Sequence, residues 1–255
     1  MRAAALPFAV VLALLAGCGE GGTPIVPKAP PPSAESAYLA APSVTAAEPG
    51  REALILSGAA PAGARVRLAT PAGEALFAEA DDQGRWRLAL PAGDEARIFG
   101  LSAFSGGRTA QAEGYLLVTG AGEAVMLRAG AGAVRIGREG RAQVDAVDFD
   151  REGGAVISGR APAGATLSIH VDGDQVVDGR ADAAGRYAIP LPQPITGASH
   201  LIDVFGDAAE NPVTIDARPA APISDGPFRI APVSGGLRID WLTPGGGVQS
   251  TLLLE

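Results

Sequence analysis

Ser57-Gly58-Ala59-Ala60-Pro61-Ala62-Gly63-Ala64 returns, 101 residues later, as Ser158-Gly159-Arg160-Ala161-Pro162-Ala163-Gly164-Ala165. The offset holds without a gap. Asp81-Asp82-Gln83-Gly84-Arg85-Trp86 lies over Asp182-Ala183-Ala184-Gly185-Arg186-Tyr187, and Leu90-Pro91 over Leu191-Pro192. From Ser57 to Pro91, 13 of 35 positions are identical. The chain therefore carries two copies of one module.

Each copy reads as strands. In the first, Leu54-Ile55-Leu56 precedes the turn; Val66 and Leu68 then alternate with Arg65 and Arg67, and Trp86, Leu88 and Leu90 with Arg85, Arg87 and Ala89. In the second, the apolar sets are Leu167, Ile169, Val171; Tyr187, Ile189, Leu191; and Ile202, Val204. Period two with one apolar face marks a half-buried antiparallel strand. Asp172-Gly173 is a hairpin signal, and Gly84 and Gly185 stand where a turn needs positive φ. Composition agrees: Gly (35) and Pro (21) are the two poorest helix residues and suit short strands joined by tight turns.

The string Ser-Gly-x-Ala-x-x-Gly-Ala, then Asp-x-x-Gly-Arg-aromatic, then a strand ending in Pro, resembles bacterial immunoglobulin-like domains of cell-surface proteins. The resemblance implies a spacer, stalk or adhesive sandwich and is silent on activity. A transthyretin-like seven-stranded sandwich is the near alternative.

The N-terminus has its own pattern. Arg2 precedes an apolar run, Ala3 to Ala16, too short to span a membrane as a helix, with small residues after it. This is the layout of a secretory signal peptide over 1–17. Leu15-Ala16-Gly17-Cys18 resembles the lipobox of bacterial lipoproteins, and Cys18 is the chain's only cysteine. The resemblance implies lipid transfer to Cys18, cleavage before it and acylation (palmitate) of the new amino terminus. Gly19 in place of Asp implies sorting to the outer membrane. Several acyl chains anchor stably. Residues 18–50 then read as a Pro-rich extended tether, rising ~3.1 Å per residue in polyproline II. Tyr38 and Leu39, its bulky pair, are read as idle.

After each sandwich comes a smaller piece. In the first copy it is Tyr115–Val118, Val125–Leu127, Val134 and Ile136. In the second, Phe228 and Ile230 precede Leu237, Ile239 and Trp241, then a Thr243–Gly247 turn and Val248–Leu254. A lone hairpin is marginal in water and needs cover. Two readings follow: it packs on its own sandwich, or it is a partner-binding edge used by strand addition, with Trp241 and Leu252 as contacts.

Net charge is −8 and Lys28 is the sole lysine, so no basic footprint for nucleic acid exists. Lys28 follows Pro27, which excludes a P-loop. Gly130-Ala131-Gly132 lacks the third glycine of a dinucleotide loop. Phe104 and Leu201 stand where a nucleophile elbow around Ser102 or Ser199 needs Gly. His170 and His200 fall on different strands with no metal spacing, and Asp172, Asp174, Asp178 and Asp182 read as turn caps rather than a calcium loop. No cofactor, metal or small-molecule substrate is expected.

The reading is an all-β chain: two tandem immunoglobulin-like β-sandwich modules, 51–142 and 143–255, each with a short hairpin extension. The function expected is a non-enzymatic cell-envelope scaffold or protein-interaction module. It is held to the membrane through Cys18 and has an envelope protein as partner. The alternative is a module that binds glycan or peptidoglycan, or an adhesive surface module.

Overall fold

Why the repeated motif recurs is visible in its turns. Asp81 Oδ1 accepts the amides of Gln83 and Arg85, both at 2.9 Å, closing an Asx turn. Gly84 sits there at φ 75°, and a Cβ on it would lie 2.4 Å from the Ala60 carbonyl oxygen. The amide of Ala60 in turn donates to the Gly84 carbonyl at 2.8 Å. The two halves of the motif are thus one loop–loop lock. The second copy rebuilds it: Asp182 Oδ1 accepts from Ala184 (2.8 Å) and Arg186 (2.9 Å), and Ala161 donates to Gly185 at 2.9 Å. The motif is structural, which is why it names a fold and no chemistry.

The computed structural model describes residues 38–137, 143–206 and 212–255. Among them every regular element is a strand. In chain order the first module holds β1 (Ser43–Pro49), β2 (Ala53–Ala59), β3 (Arg65–Ala69), β4 (Ala75–Glu79), β5 (Arg85–Pro91), β6 (Arg97–Ser105) and β7 (Arg108–Val118), followed by β8 (Ala124–Leu127) and β9 (Val134–Ile136). The second holds β10 (Gln143–Asp150), β11 (Ala155–Arg160), β12 (Thr166–Val171), β13 (Asp174–Arg180), β14 (Arg186–Pro190), β15 (His200–Gly206) and β16 (Val213–Ile215), then β17 (Phe228–Val233), β18 (Gly236–Leu242) and β19 (Val248–Leu254).

The repeat is exact at the level of topology. Order β1-β2-β5 faces β4-β3-β6-β7 in the first module, and β10-β11-β14 faces β13-β12-β15-β16 in the second. Seven antiparallel strands in three-on-four order form an immunoglobulin-like sandwich. Even a bulge is shared: the register shifts between Val44 and Ala46 and, in the copy, between Val144 and Ala146. Each sandwich has its own core. The first is built on Leu56, Val66, Leu68, Trp86, Leu90 and Leu101, the second on Val147, Phe149, Ile157, Leu167, Ile169 and Ile202. The Asp172-Gly173 hairpin turns with φ of 55° and 91°, the pair of positive values that a type I′ turn demands.

One expected boundary needs correction. Strand β1 begins at Ser43, inside the stretch read as tether. Its sequence, Ser-Val-Thr-Ala-Ala-Glu-Pro, has one bulky apolar residue and no visible alternation, so composition hid it. Pro49 is tolerated at the end of an edge strand. The two extensions also do not occupy equivalent places. Strands β8 and β9 add to β7, lengthening the four-stranded sheet of module 1, whereas β17-β18-β19 is a three-stranded meander that adds to β10, lengthening the three-stranded sheet of module 2.

Candidate functional site

The extensions meet. A third core joins Ile98, Leu117, Val125, Leu127 and Ala133 of module 1 to Ala146, Ile239, Trp241 and Leu253 of module 2, with Tyr115, Phe228, Ile230 and Leu237 at its margin. It forms between outer sheet faces, because each lengthened sheet presents a second apolar face that its own sandwich cannot cover. Trp241 is 0% exposed, and its Nε1 donates to Thr251 Oγ1 at 3.1 Å. The joint is therefore a sandwich in its own right, made half from each module.

A polar network is sealed beside it. Asp148 Oδ2 accepts the Ala133 amide at 2.7 Å, while Oδ1 accepts from Gln249 Nε2 at 3.0 Å and from Thr251 Oγ1. Gln249 Oε1 accepts the Gly130 amide at 3.0 Å, and Ser158 Oγ donates to the Ala133 carbonyl at 2.9 Å. Gly132 (φ 78°) lets the 128–133 loop lie on module 2, where a Cβ would come 3.0–3.2 Å from Val156, Ala188 and Ser158 side-chain carbons. Arg135, its side chain 4% exposed, bonds Glu123 Oε1 at 2.9 Å and the Leu254 carbonyl. Burial pushes the Asp148 carboxyl above its ordinary value, against the pull of Thr251, Ala133, Gln249 and the nearby Arg128.

The opposite face of the meander is charged. Asp240 takes Arg238 at 2.8 Å, Arg229 at 2.7 Å and Ser250 Oγ at 2.7 Å. Burial opposes its charge, yet Arg238, Arg229 and Ser250 together hold the carboxyl below the usual range.

Of the residues singled out from sequence, Cys18 lies outside the described residues. Trp241 and Leu252 do not form a docking edge. Both are buried (0% and 3% exposed), and they face opposite sides of the sheet, Trp241 into the joint and Leu252 into the second sandwich core. The edges of that sheet are β14 and β17, not β18 or β19. The reading in which the hairpin packs on its own sandwich is met only on one face: Leu252 and Leu254 enter the module 2 core, whereas Trp241 packs against module 1, because the meander continues the module 2 sheet past its own partner sheet. What sequence reasoning missed is Asp148, Gln249 and Thr251. Their signal was polar residues at strand parity where the neighbours Ala146 and Leu253 are apolar.

Tyr38 is 85% exposed. The other candidates are engaged with protein groups or buried. Asp172 accepts His200 Nδ1 and the Leu201 amide, both at 2.8 Å, and His200 Nε2 faces the Thr196 carbonyl at 3.0 Å. His170 stands edge-on to Phe205, with 4.6 Å between centroids. Ser102 is buried within β6. Among the described residues no three His, Cys, Asp or Glu side chains converge as metal ligands. A cleft of about 500 Å³ runs beside the joint, lined by Asp148 to Glu152, Pro190, Leu191 and Gln249. Of its three carboxylates, Asp148 and Asp150 accept hydrogen bonds from protein, the latter from the Gly154 amide at 2.8 Å, and Glu152 is exposed to solvent.

No family model matches the chain, and no curated protein does. Among solved structures it is similar to the BSP domain of a biofilm-associated protein, at 13% identity over 72% of this chain and 30% of that one, with a TM-score of 0.24. It is also similar to invasin, a bacterial integrin-binding protein, at 15% identity over 83% of this chain and 54% of that one, again with a TM-score of 0.24. The chain thus spans less than two thirds of either. Likenesses this distant do not bear on function, and the immunoglobulin-like assignment rests on the strand order.

Proposed function

We propose that this chain is a lipid-anchored envelope protein without enzymatic activity, whose two modules act as one locked body for scaffolding or protein interaction. The observation that carries the reading is the third core: nine buried residues drawn from both modules, with Trp241 at 0% exposure. A flexible pair of domains is the default when an interface is small and polar. This joint is apolar and hydrogen-bonded, and it draws on sheet extensions beyond the seven strands each sandwich needs. Such an investment suits a body that must hold two surfaces in fixed register. Residues 1–17 are the leader, Cys18 the acylated residue and the Pro-rich stretch after it the tether in this proposal, with the outer membrane as its place.

The test has two arms. A clickable palmitate analogue fed to cells should label the wild-type chain and leave Cys18→Ser unlabelled and released from the membrane fraction. In-cell crosslinking should give discrete envelope adducts that a Trp241→Ala chain of normal abundance forms less well, because its modules no longer hold register. Labelling of Cys18→Ser, or adducts indifferent to the joint, would overturn the corresponding half of the proposal.

A further inference from the structure

The outer face of β3, β4 and β6 in module 1 carries side chains that the fold does not require. Phe77 is 47% exposed and Phe104 38%. Between them on β3 stand Arg65, paired in register with Phe104, and Arg67, paired with Phe77. The Arg65 guanidinium lies 4.0 Å from the Phe77 ring centroid. Glu79 stands across from Arg65 in register, yet neither arginine is engaged in an ion pair among the described residues. Two half-exposed phenylalanines beside two guanidiniums free of ion pairs make an exposed apolar and cationic patch in a chain of net charge −8.

The second module supplies an internal control. At the 101-residue offset, Arg65, Arg67 and Phe77 become Thr166, Ser168 and Asp178, in the same cross-strand register. Phe104 becomes Phe205, whose ring is engaged by His170. The same sheet, with the same topology, forms without the cluster. The cluster is therefore surplus to folding.

Its chemistry points to an occupant. Guanidinium forks bind carboxylates in bidentate fashion, and stacking on a ring orients the fork in advance. The negative face of an aromatic ring attracts polarised C–H groups, which the flat side of a pyranose presents. A folded protein partner needs about 800 Å² per side with an apolar centre, whereas this face offers two half-exposed rings and otherwise polar side chains. An acidic peptide added to the free edge of β4 would run along Glu74 and Glu79. We infer that this face, Arg65, Arg67, Phe77 and Phe104, binds a carboxylate-bearing polysaccharide. The inference goes beyond the protein-interaction reading above by naming a surface and a ligand class that is not protein, and it rests on that reading only for the envelope location.

The test uses the full-length chain in detergent against polygalacturonate, dextran and polyglutamate, immobilised at equal density. Polygalacturonate should bind at least about tenfold more tightly than either of the others, a difference of about 1.4 kcal/mol, and binding should weaken with salt. The triple variant Arg65→Thr, Arg67→Ser, Phe77→Asp carries the residues module 2 already uses, so it should fold and lose about tenfold or more. Phe77→Ala with Phe104→Ala should lose binding without changing the charge. Equal binding to polyglutamate would assign the face to acidic protein segments and overturn the inference, as would absent binding or an unaffected triple variant. None of these outcomes touches the palmitate and crosslinking arms, so the two proposals fail separately.

Discussion

The Tyr115 and Trp241 rings meet edge to face, 6.0 Å between centroids and 88° between planes, one from each module. Such pairs add about 0.5–1.5 kcal/mol beyond the area they bury. Trp241→Ala should therefore cost about 3–5 kcal/mol, and it should do so by opening the joint rather than either sandwich. Calorimetry is expected to resolve one transition for the wild type into two for the variant. A single transition, merely shifted, would mean that the modules are coupled elsewhere.

Asp148 makes the joint sensitive to pH. Its carboxyl is raised by burial, so the folded chain keeps this proton to a higher pH than the unfolded chain, whose ordinary value is about 3.9. Where the unfolded state has released the proton and the folded state has not, stability falls as pH rises, and it levels off above the folded value. Asp148→Asn should flatten that slope. Urea titrations of both proteins from about pH 4 upward check it: the wild-type curve should decline more steeply than that of the variant.

Asp240, on the other face of the same sheet extension, has the opposite sign. Arg238, Arg229 and Ser250 outweigh burial and depress its carboxyl, so its contribution is fully present above the unfolded value and is lost as pH falls through the folded one. Asp240→Asn leaves Arg238 and Arg229 facing a neutral amide. A loss of about 1–3 kcal/mol is expected at neutral pH, and it should shrink in acid as the wild type surrenders the same interaction.

Gly58 is a steric keystone of module 1. A Cβ there would stand 1.9 Å from the Ser43 carbonyl oxygen and 2.6 Å from Trp86 Cζ2. Gly58→Ala should force β1 or Trp86 aside and cost about 1–3 kcal/mol or more. With the joint already broken by Trp241→Ala, only the transition of module 1 should move.

The sequence exposed whatever is periodic or repeated. Trp86, Leu88 and Leu90 alternate with exposed neighbours as read, and the shared Asp-x-x-Gly-Arg string marks the same turn twice. Strand β1 escaped because Val44 is alone among small residues, although the copy at Val144, Val147 and Phe149 could have located it. The joint escaped for a deeper reason. Period two tells which residues share a face, not which sheet that face will meet, and a sheet with two apolar faces looks like one with a ragged pattern. Trp241 was legible as an anchor. That its cover lies some 125 residues upstream, at Tyr115, follows from chain topology, which local pattern does not encode. The Arg65–Phe77 cluster read as ordinary alternation until Phe77 was seen to face outward.

Val147 pairs with Leu252, and Ala146 with Leu253, across more than a hundred residues of intervening chain. Strand β10 emerges from the ribosome or the export channel more than a hundred residues ahead of β19, so its edge waits for the end of the meander. During that interval the nascent chain shows both an unsatisfied strand edge and the apolar patch around Leu117 and Leu127, a template for pairing with neighbouring chains. Maturation therefore has a late closing step set by β19. Substitutions that merely delay β19 should appear as aggregated or degraded chain in the cell long before they appear as a lower melting temperature.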